Sequence, residues 1–350
     1  MIRMKRTSLY LALAALAVCG CAKAPVTGLN DSAKLYFESW MHVNYPDAAK
    51  TAPGYYTLAE TPGTGAQAGS AETTPYVRVE YLLQDLAGSI SATTSEELNK
   101  QLGKYVINNY YGPEVWARGE NTLSAGLDEA LSTMSVGGTK RIVIPGWLQT
   151  TSRYDTEKEY LENVSGGTPA IYEIKLCDLI TDIKKWETDS VGRYVSKTFP
   201  GKSVLDSLKY GFYYFESEAP LEGKRFTSDT TIYINYIGRL LNGTIFDTNI
   251  KDTAKFYGIY SASRTYGPCS IDWYATDENY TAITMTMPGA SSGSSVISGF
   301  SFGLDQMHPH EKGTAVFLSN WGYGANGSGY AIPAYSPLRF DFEVVDKPAS

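Results

Sequence analysis

Hydrophobic and polar residues along the chain follow helical and strand-like periods in turn. Residues 32–44 place apolar side chains near helical spacing, and Pro46 ends this predicted helix. From residues 54–58 onwards apolar and polar positions alternate, which is the period of a strand with one buried face. The pattern therefore predicts a leading helix followed by a strand-rich segment.

An approximate internal repeat determines the predicted architecture. A leading helix, several strands, a short helix, a strand, a long loop and a last strand occur in this order twice. The matching segments are 77–81 (VRVEY) with 232–236 (IYINY), 126–130 (GLDEA) with 299–303 (GFSFG), and 171–174 (IYEI) with 339–342 (RFDF). The predicted fold class is α+β with two units, each an antiparallel curved sheet packed on a short helix. We predict residues 32–183 for the first unit and residues 184–347 for the second.

The N-terminus has the pattern of a bacterial lipoprotein signal peptide. An uncharged apolar run at residues 9–18 is too short to span a bilayer, which needs roughly 20 residues. It ends in Val18-Cys19-Gly20-Cys21, which resembles a lipobox and implies a diacylglycerol on the thiol of Cys21. Cleavage before Cys19, an ordinary secretory signal and an uncleaved anchor helix are the alternatives. Three basic residues precede the run: Arg3, Lys5 and Arg6.

Lipid on Cys21 would tether the mature chain to a membrane, because two or three acyl chains give lasting attachment. We predict a signal peptide at residues 1–20 and a short tether at residues 21–31. The expected location is the bacterial cell envelope. Ala22 and Lys23 offer no obvious inner-membrane retention aspartate, which favours the outer membrane.

Composition narrows the classes of partner. The net charge of −7 and the pI near 5.2 argue against nucleic acid, because no basic patch would neutralise phosphates. Tyrosine is abundant at 27 residues and charged residues make up only 19% of the chain, a mixture typical of strand-rich exported proteins. Cys177 and Cys269 fall in different predicted units, which favours two separate buried thiols over a disulfide.

The second unit carries several short motifs in a recognisable spacing. Residues 234–247 read INYIGRLLNGTIFD and residues 296–304 read VISGFSFGL. A Tyr-Gly pair at residues 323–324, an Ile-Pro pair at residues 332–333 and the strand LRFDF at residues 338–342 follow. Together they resemble the FKBP-type peptidyl-prolyl cis-trans isomerases over roughly 80 residues.

The resemblance implies a site that needs no nucleophile, metal or cofactor. Rotation about an X-Pro bond has a barrier of about 18–20 kcal/mol because it breaks amide resonance. An apolar cradle favours the twisted imide, since that form has less charge separation than the planar one. The implied site residues are Tyr236, Phe246, Asp247, Val296, Ile297, Phe300, Tyr323, Ile332 and Phe340.

The resemblance also implies individual roles. The backbone N–H of Ile297 and the hydroxyl of Tyr323 would bond substrate carbonyls. Asp247 would orient Tyr236 and face the twisting carbonyl. The alternative, that these are core aromatics of a half-barrel, explains less well the Phe-Asp, Tyr-Gly and Ile-Pro pairs, because loop positions contribute little to a core.

Three departures from the family pattern affect these expectations. Phe300 replaces the usual Trp at the floor of the site, which keeps it apolar but makes it shallower. His310 stands where the family has a turn glycine, which predicts an altered turn. About 30 extra residues lie between Asp247 and Val296, and they either extend a peptide-binding surface or cover the site. His308 and His310 suggest a solvated turn more than a metal site.

The first unit is a weaker relative of the same pattern. Tyr81 and Tyr172 fall at cradle positions, but Leu127 stands where the family has Trp. Residues 89–94 contain no Phe-Asp pair, and a polar loop at residues 150–167 replaces the Tyr-Gly pair. We predict the fold without the activity for this unit.

Three functions follow as hypotheses. The leading one is a membrane-tethered peptidyl-prolyl cis-trans isomerase that acts on proline-containing exported polypeptides. The second is a non-catalytic binding lipoprotein that uses both units as interaction modules. A glycan-binding surface lipoprotein is a third, suggested only by the many Tyr and Trp residues. The sequence leaves the oligomeric state open.

Overall fold

The computed structural model describes most of the chain after the predicted signal segment. The predicted signal peptide, the lipidation site Cys21 and the tether up to residue 27 lie outside the described residues. No described helix is both long enough and apolar enough to cross a membrane. The described ranges are 28–201, 208–220, 226, 230–273 and 283–349.

Two antiparallel sheets follow one another along the chain. The first has the order β1-β2-β6-β7-β3-β4, with β5 pairing beside β4 on β3. Its strands are β1 (Ala49–Lys50), β2 (Tyr56–Thr61), β3 (Tyr76–Gln84), β4 (Ile90–Thr93), β5 (Glu114–Ala117), β6 (Thr139–Ile144) and β7 (Ala170–Ile180).

The second sheet has the order β13-β12-β11-β9-β15-β14-β8, with β10 pairing on β9. Its strands are β8 (Phe212–Glu218), β9 (Thr230–Leu240), β10 (Ile245–Thr248), β11 (Cys269–Trp273), β12 (Thr284–Thr286), β13 (Ser294–Ser295), β14 (Lys312–Phe317) and β15 (Leu338–Val345). Strands β3, β7 and β6 of the first sheet therefore correspond to β9, β15 and β14 of the second.

Each sheet is preceded by a leading helix and packed on a short one. The leading helices bury their apolar sides, Phe37 and Met41 in the first and Val191 and Val195 in the second. The helices are α1 (Asp31–Asn44), α2 (Glu96–Gln101), α3 (Ala125–Ser132), α4 (Glu157–Asn163), α5 (Ile183–Thr198), α6 (Lys251–Phe256) and α7 (Ser298–Asp305). Helix α5 begins where the boundary between the units was predicted.

The strand registers show that the two units are structural repeats. Tyr81 on β3 lies opposite Ile174 on β7, and Tyr236 on β9 lies opposite Phe342 on β15. The same strands pair in the same direction, and α3 and α7 each enter just before the strand at the equivalent position. The predicted α+β fold with two antiparallel sheets is confirmed.

Helix α7 lies close to its sheet because small residues face the strands. A Cβ placed on Gly299 would lie 2.6 Å from the ring of Phe317, so only glycine permits this approach. The helix then buries Phe300, Phe302 and Leu304 in the core of the second unit. This packing carries Phe300 to the inner side of the sheet, where the site residues of β9 and β15 also point.

The two units contact each other through loops. The N–H of Tyr110 donates a 2.8 Å hydrogen bond to the carbonyl of Tyr330. The rings of Tyr76 and Tyr335 meet edge to face with centroids 5.3 Å apart. These contacts join two parts of the first unit, Tyr110 between α2 and β5 and the first residue of β3, to the long loop before β15.

The turn before β14 differs from the prediction in two ways. His310 has φ 61°, the left-handed conformation that suits glycine, so the predicted change in turn geometry is wrong. The turn is also less solvated than predicted, because Glu311 is buried. Its carboxylate accepts hydrogen bonds from the hydroxyl of Tyr214 at 2.5 Å and from the backbone N–H of His308 at 2.9 Å.

The two cysteines lie in different units, and neither is bonded to the other. Cys269 is buried beside the side chains of Asn249 and Met287. Cys177 is partly exposed on β7, so the prediction that both thiols are buried holds only for Cys269.

Candidate active site

Strand β9 forms one wall of the candidate site. Burial alternates along it, and Tyr236 points inward with 2% of its surface exposed. Two residues later Gly238 leaves room for the ring of Phe246, because a Cβ at this position would lie 2.5 Å from that ring. The glycine therefore lets an aromatic side chain from β10 lie across β9.

Four aromatic rings meet over this wall. The ring of Phe340 lies 5.2 Å from Phe300, 5.6 Å from Phe246 and 6.3 Å from Tyr236, measured between centroids. Tyr236 and Phe300 are 5.5 Å apart and nearly perpendicular. Edge-to-face pairs of this kind are favourable and hold the rings in fixed orientations. The structure thus brings together the aromatic residues that the sequence proposed as a cradle.

The other predicted site residues surround these rings. Ile332 is buried in the same cluster, while Val296, Ile297 and Tyr323 are partly buried against it. Ile297 is the residue that caps α7, and Tyr323 lies just before the short turn Gly324–Asn326. All nine predicted residues therefore lie at one end of the second sheet, either within the aromatic cluster or next to it.

A polar network closes one side of the cradle. The hydroxyl of Tyr236 donates a 2.6 Å hydrogen bond to Asp247, the contact that the sequence predicted. Arg264 forms an ion pair with the other oxygen of Asp247 and donates a 3.2 Å hydrogen bond to the hydroxyl of Tyr236. Burial, and then the neighbouring charge of Asp247, raise the pKa of Tyr236 well above its ordinary value. The phenol therefore stays protonated and remains a donor to Asp247.

Sequence reasoning missed Arg264. It lies in the inserted region, on a loop without a regular hydrophobic pattern, and nothing in its neighbours marks it as a partner of Asp247. Its guanidinium is half-buried and contacts both polar members of the cradle. The signal available in the sequence was only that a basic residue follows the Phe-Asp pair within the same inserted region.

Two buried polar residues hold β10 against β9, and the sequence analysis missed these as well. Thr248 donates a 2.7 Å hydrogen bond to the carbonyl of Tyr236, and Asn249 accepts one of 2.8 Å from its N–H. The register between the strands shifts between Ile245 and Asp247, so ordinary ladder bonds are interrupted there. The side chains of Thr248 and Asn249 replace those bonds and fix Asp247 beside Tyr236.

Two hydrogen-bond donors of the site are left without a protein partner. Within the part of the chain that the structure describes, no acceptor takes the backbone N–H of Ile297 or the hydroxyl of Tyr323. An N–H at a helix start has no partner within the helix itself. Burial and the charge of Asp247 raise the pKa of Tyr323, so its hydroxyl keeps its proton. Both groups are available to a bound carbonyl oxygen.

The inserted region extends the sheet and also supplies the site. Strands β11, β12 and β13 add to the edge of β9, and Arg264 lies on the loop between α6 and β11. The first unit has a counterpart of the first half of this inserted region. There, α2 and β5 follow β4 in the same way as α6 and β11 follow β10. Residues 274–282 of the insertion, which include Tyr274 and Tyr280, lie outside the described part.

The first unit lacks the same arrangement at the equivalent positions. Strand pairing places Leu83 opposite Tyr172 and Ala92, where the second unit has Gly238 opposite Phe340 and Asp247. Leu83 carries a side chain into the space that Gly238 leaves open, and an alanine replaces the carboxylate. The first unit therefore shares the scaffold but has neither the aromatic wall nor the polar network.

The fold and the site together define a class of two-unit α+β proteins with an aromatic cradle and a carboxylate at its side. The family model for FKBP-type peptidyl-prolyl cis-trans isomerases matches residues 281–345, which hold Val296, Ile297 and Phe340. The chain is therefore similar to the FKBP-type peptidyl-prolyl cis-trans isomerase family, as the motifs of the second unit indicated. Its match to that model covers the C-terminal half of the second unit.

Curated relatives agree with this family. Peptidyl-prolyl cis-trans isomerase FKBP53 of Arabidopsis thaliana is 28% identical over 166 residues, 47% of this chain and 26% of the relative. A probable FKBP-type peptidyl-prolyl cis-trans isomerase of Haemophilus influenzae is 24% identical over 164 residues, 47% of this chain and 54% of the relative. The chain thus spans about a quarter and about half of their respective lengths.

Solved structures that match the chain do so at low scores. The three FKBP domains of wheat FKBP73 cover 83% of this chain and 94% of their own, with 13% identity and a TM-score of 0.28. FkpA from Escherichia coli covers 48% of this chain and 64% of its own, with 24% identity and a TM-score of 0.30. Scores this low carry no argument, and the fold is established by the strand order and registers of the chain itself.

Proposed function

We propose that the second unit catalyses the cis-trans isomerisation of X-Pro peptide bonds. The observation that carries this proposal is the aromatic cluster of Tyr236, Phe300 and Phe340, closed on one side by the network of Asp247 and Arg264. These three rings are at most 4% exposed, so the apolar surface open to a prolyl ring is that of the partly buried residues packed on them, Phe246, Val296, Ile297 and Tyr323. The ion pair of Asp247 and Arg264 keeps fixed charges beside that surface, and neither residue has to act as a nucleophile.

Catalysis in this site acts on the solvation and hydrogen bonding of the twisting bond. The planar amide is more polar than the twisted one. Its transfer from water to an apolar site therefore raises the free energy of the planar ground state relative to that of the twisted transition state. The hydroxyl of Tyr323 and the N–H of Ile297 anchor substrate carbonyls on either side of the bond. Lowering the barrier by about 7 kcal/mol would accelerate rotation about 10⁵-fold.

A protease-coupled assay on a tetrapeptide with one X-Pro bond tests the proposal. We expect Asp247→Ala to lower kcat/KM at least about tenfold, because Tyr236 and Arg264 lose their shared acceptor, and each tenfold loss corresponds to about 1.4 kcal/mol. Tyr81→Phe is the matched control, since Tyr81 occupies the position of Tyr236 in the first unit. It should leave the rate unchanged.

Turnover by the wild-type chain at the rate of buffer would overturn the catalytic proposal. Peptide binding without turnover would instead favour a non-catalytic module that recognises proline-containing segments. A loss of turnover in Tyr81→Phe together with an unchanged rate in Asp247→Ala would place the activity in the first unit instead.

We further propose that lipid on Cys21 tethers this activity to a membrane of the cell envelope, where the substrates are exported polypeptides. The basic start, the short apolar run and the Val-Cys-Gly-Cys sequence support the tether. Isomerisation uses no cofactor or nucleotide, so it suits a compartment outside the cytoplasm. Metabolic labelling with a radioactive fatty acid should mark the wild-type chain, and Cys21→Ser should abolish the label and release the protein from membranes. Labelling of the variant would contradict the assignment of Cys21.

A further inference from the structure

Three segments without a single charged residue come together beside the candidate site. They are residues 105–111 of the first unit, residues 256–263 after helix α6, and residues 323–338 before strand β15. The chain as a whole has 37 acidic and 30 basic residues, so uncharged runs in three adjoining loops are a distinct feature.

Direct contacts bring these segments together. The N–H of Tyr110 donates to the carbonyl of Tyr330 at 2.8 Å, and the Tyr110 side chain packs against the core of the second unit. The Cδ1 atom of Ile107 lies 2.9 Å from the point where a Cβ on Gly258 would stand. The first unit therefore borders the second at the loops that surround its site.

Large apolar side chains on these segments are exposed. Phe256 is 83% exposed and Tyr330 is 80% exposed, the highest values among the exposed large apolar residues of the described chain. Val106, Ile107, Tyr257 and Tyr260 are also exposed on the same segments. Contiguous apolar surface that is left uncovered marks an interaction site more often than scattered apolar residues do. We define the client surface as these six residues.

The client surface is continuous with the cradle. Tyr323 and Ile332 belong to the same loop as Tyr330, and Arg264, the partner of Asp247, directly follows the segment that holds Tyr260. A chain whose proline occupies the cradle would therefore extend over these side chains. The six side chains themselves carry no charge, although Lys255 lies over the ring of Tyr260 at 5.5 Å at one edge of the surface. Apolar and aromatic residues of such a chain would find surfaces to bury.

We propose that the client surface binds unfolded polypeptides whose proline is flanked by apolar and aromatic residues. The inference rests on the proposed isomerase function and adds its substrate class. It also assigns a role to the first unit, which supplies Val106 and Ile107 to a site that it does not itself contain. Aromatic side chains suit this role because they offer a large contact area at low conformational cost.

Two peptides of about fifteen residues with the same Leu-Pro core test the inference. One peptide has Leu, Phe and Tyr on both sides of the core, and the other has Ser, Gln and Gly. NMR exchange spectroscopy gives kcat/KM on the full chain, and titration of the fluorescence anisotropy of the same dye attached to the N-terminus of each peptide gives the dissociation constant. We expect the apolar peptide to bind and react at least about tenfold better than the polar one, because it buries apolar side chains on the client surface. A tenfold difference corresponds to about 1.4 kcal/mol.

Substitutions assign that preference to the client surface. Ile107→Asp and Phe256→Asp, one in each unit, should each reduce the advantage of the apolar peptide by about tenfold, since a carboxylate resists burial. Leu35→Asp is the matched control, because Leu35 is an exposed apolar residue on α1 in the first unit. It should leave the ratio between the peptides unchanged.

Three results would overturn the client surface. They are equal kcat/KM for the two peptides on the wild-type chain, an equal loss on both peptides in Ile107→Asp, and the same loss in Leu35→Asp. Failure of the proposed isomerase function is a separate outcome. In that case neither peptide reacts, but the fluorescence titration still measures whether Ile107→Asp and Phe256→Asp weaken binding of the apolar peptide.

Discussion

One residue position on β9 separates the two units chemically. Gly238 lets the ring of Phe246 cross the strand, whereas the first unit carries Leu83 at the equivalent register. The side chain of Leu83 would occupy the volume of that ring. A leucine at this register therefore leaves no room for a ring to cross the strand as Phe246 does.

His310 shows a different relation between a residue and its backbone. Its φ of 61° is unfavourable for a residue with a Cβ, and the first unit has Gly137 with φ 88° in the same turn. The left-handed conformation costs a non-glycine residue about 1–2 kcal/mol. Glycine avoids this cost, but the greater conformational freedom of glycine in the unfolded state offsets part of the gain in stability. The second unit thus retains a strained turn that the first unit avoids.

We expect His310→Gly to raise the free energy of unfolding by about 0.5–1 kcal/mol, because glycine removes the steric strain. The contact of His310 with Asp346 at 3.5 Å is exposed and offers little to offset this gain. Urea denaturation monitored by tryptophan fluorescence measures the change. Gly137→His is the matched control and should destabilise the first unit, while destabilisation by His310→Gly would contradict the argument.

At the scale of elements, the leading helix α5 holds the loop that carries Tyr323. Glu187 on this helix is 4% exposed, and both of its oxygens accept hydrogen bonds from Ser319, one from the N–H and one from the hydroxyl, each 2.7 Å. Ser319 begins the short turn Ser319–Trp321, which leads directly into the site loop. Helix α5 therefore supports the position of the site although it lies outside the matched family region.

This contact predicts a pH dependence of stability. Burial raises the pKa of Glu187 above its usual range, so the folded state binds its proton more tightly than the unfolded state does. The contribution of this carboxyl is fully present below its unfolded pKa and is lost as the pH rises through the higher folded pKa.

Glu187→Gln removes this titration while keeping the shape of the side chain. We expect the free energy of unfolding of the wild type, minus that of Glu187→Gln, to fall as the pH rises from about 4 to 7. Urea denaturation of both proteins across this range measures the difference. Thr188→Ser on the same helix removes no titratable group and is the control, so it should show no such trend, and an increase with pH for Glu187 would contradict the assignment.

The sequence allowed much of this arrangement to be predicted, for reasons that lie in local patterns. Alternation along β9 and β15 predicts which side of each strand is buried, and the Phe-Asp pair marks the start of the site. The ion pair of Asp247 with Arg264 depends on how an irregular loop folds back over the site. The periodicity of hydrophobic residues does not predict the course of such a loop. The bond from Glu187 to Ser319 joins residues far apart in the chain, so single-sequence patterns contain no trace of it.

At the scale of the molecule, each unit has a hydrophobic core of its own. The first core joins α1, α3 and the first sheet, and the second joins α7 and the second sheet. The two units meet where the loop before β15 contacts Tyr110 and the first residue of β3, as in the pair Tyr76 with Tyr335. Because each unit has a separate core of buried residues, the units are expected to unfold separately.

Two equivalent leucines test this independence. Leu131 on α3 and Leu304 on α7 are fully buried in their respective cores, and replacement by alanine should cost about 2–5 kcal/mol in each case. Differential scanning calorimetry should show two transitions. Leu131→Ala should lower only the transition temperature of the first unit. Leu304→Ala should lower only that of the second unit, and isomerisation should be lost above this lowered transition temperature. A single transition lowered by both variants would show that the units unfold together.

The edges of the two sheets have a consequence for a protein that meets unfolded chains. An open strand edge offers unpaired N–H and C=O groups that recruit further strands and start aggregation. In the described structure β1 and β13, each an outermost strand, are only two residues long, and the β8 edge ends in Glu216 and Glu218. Short and negatively charged edges give a client little backbone to pair with. A polypeptide bound as proposed would therefore form few backbone hydrogen bonds beyond those to Ile297 and Tyr323, and would remain free to leave.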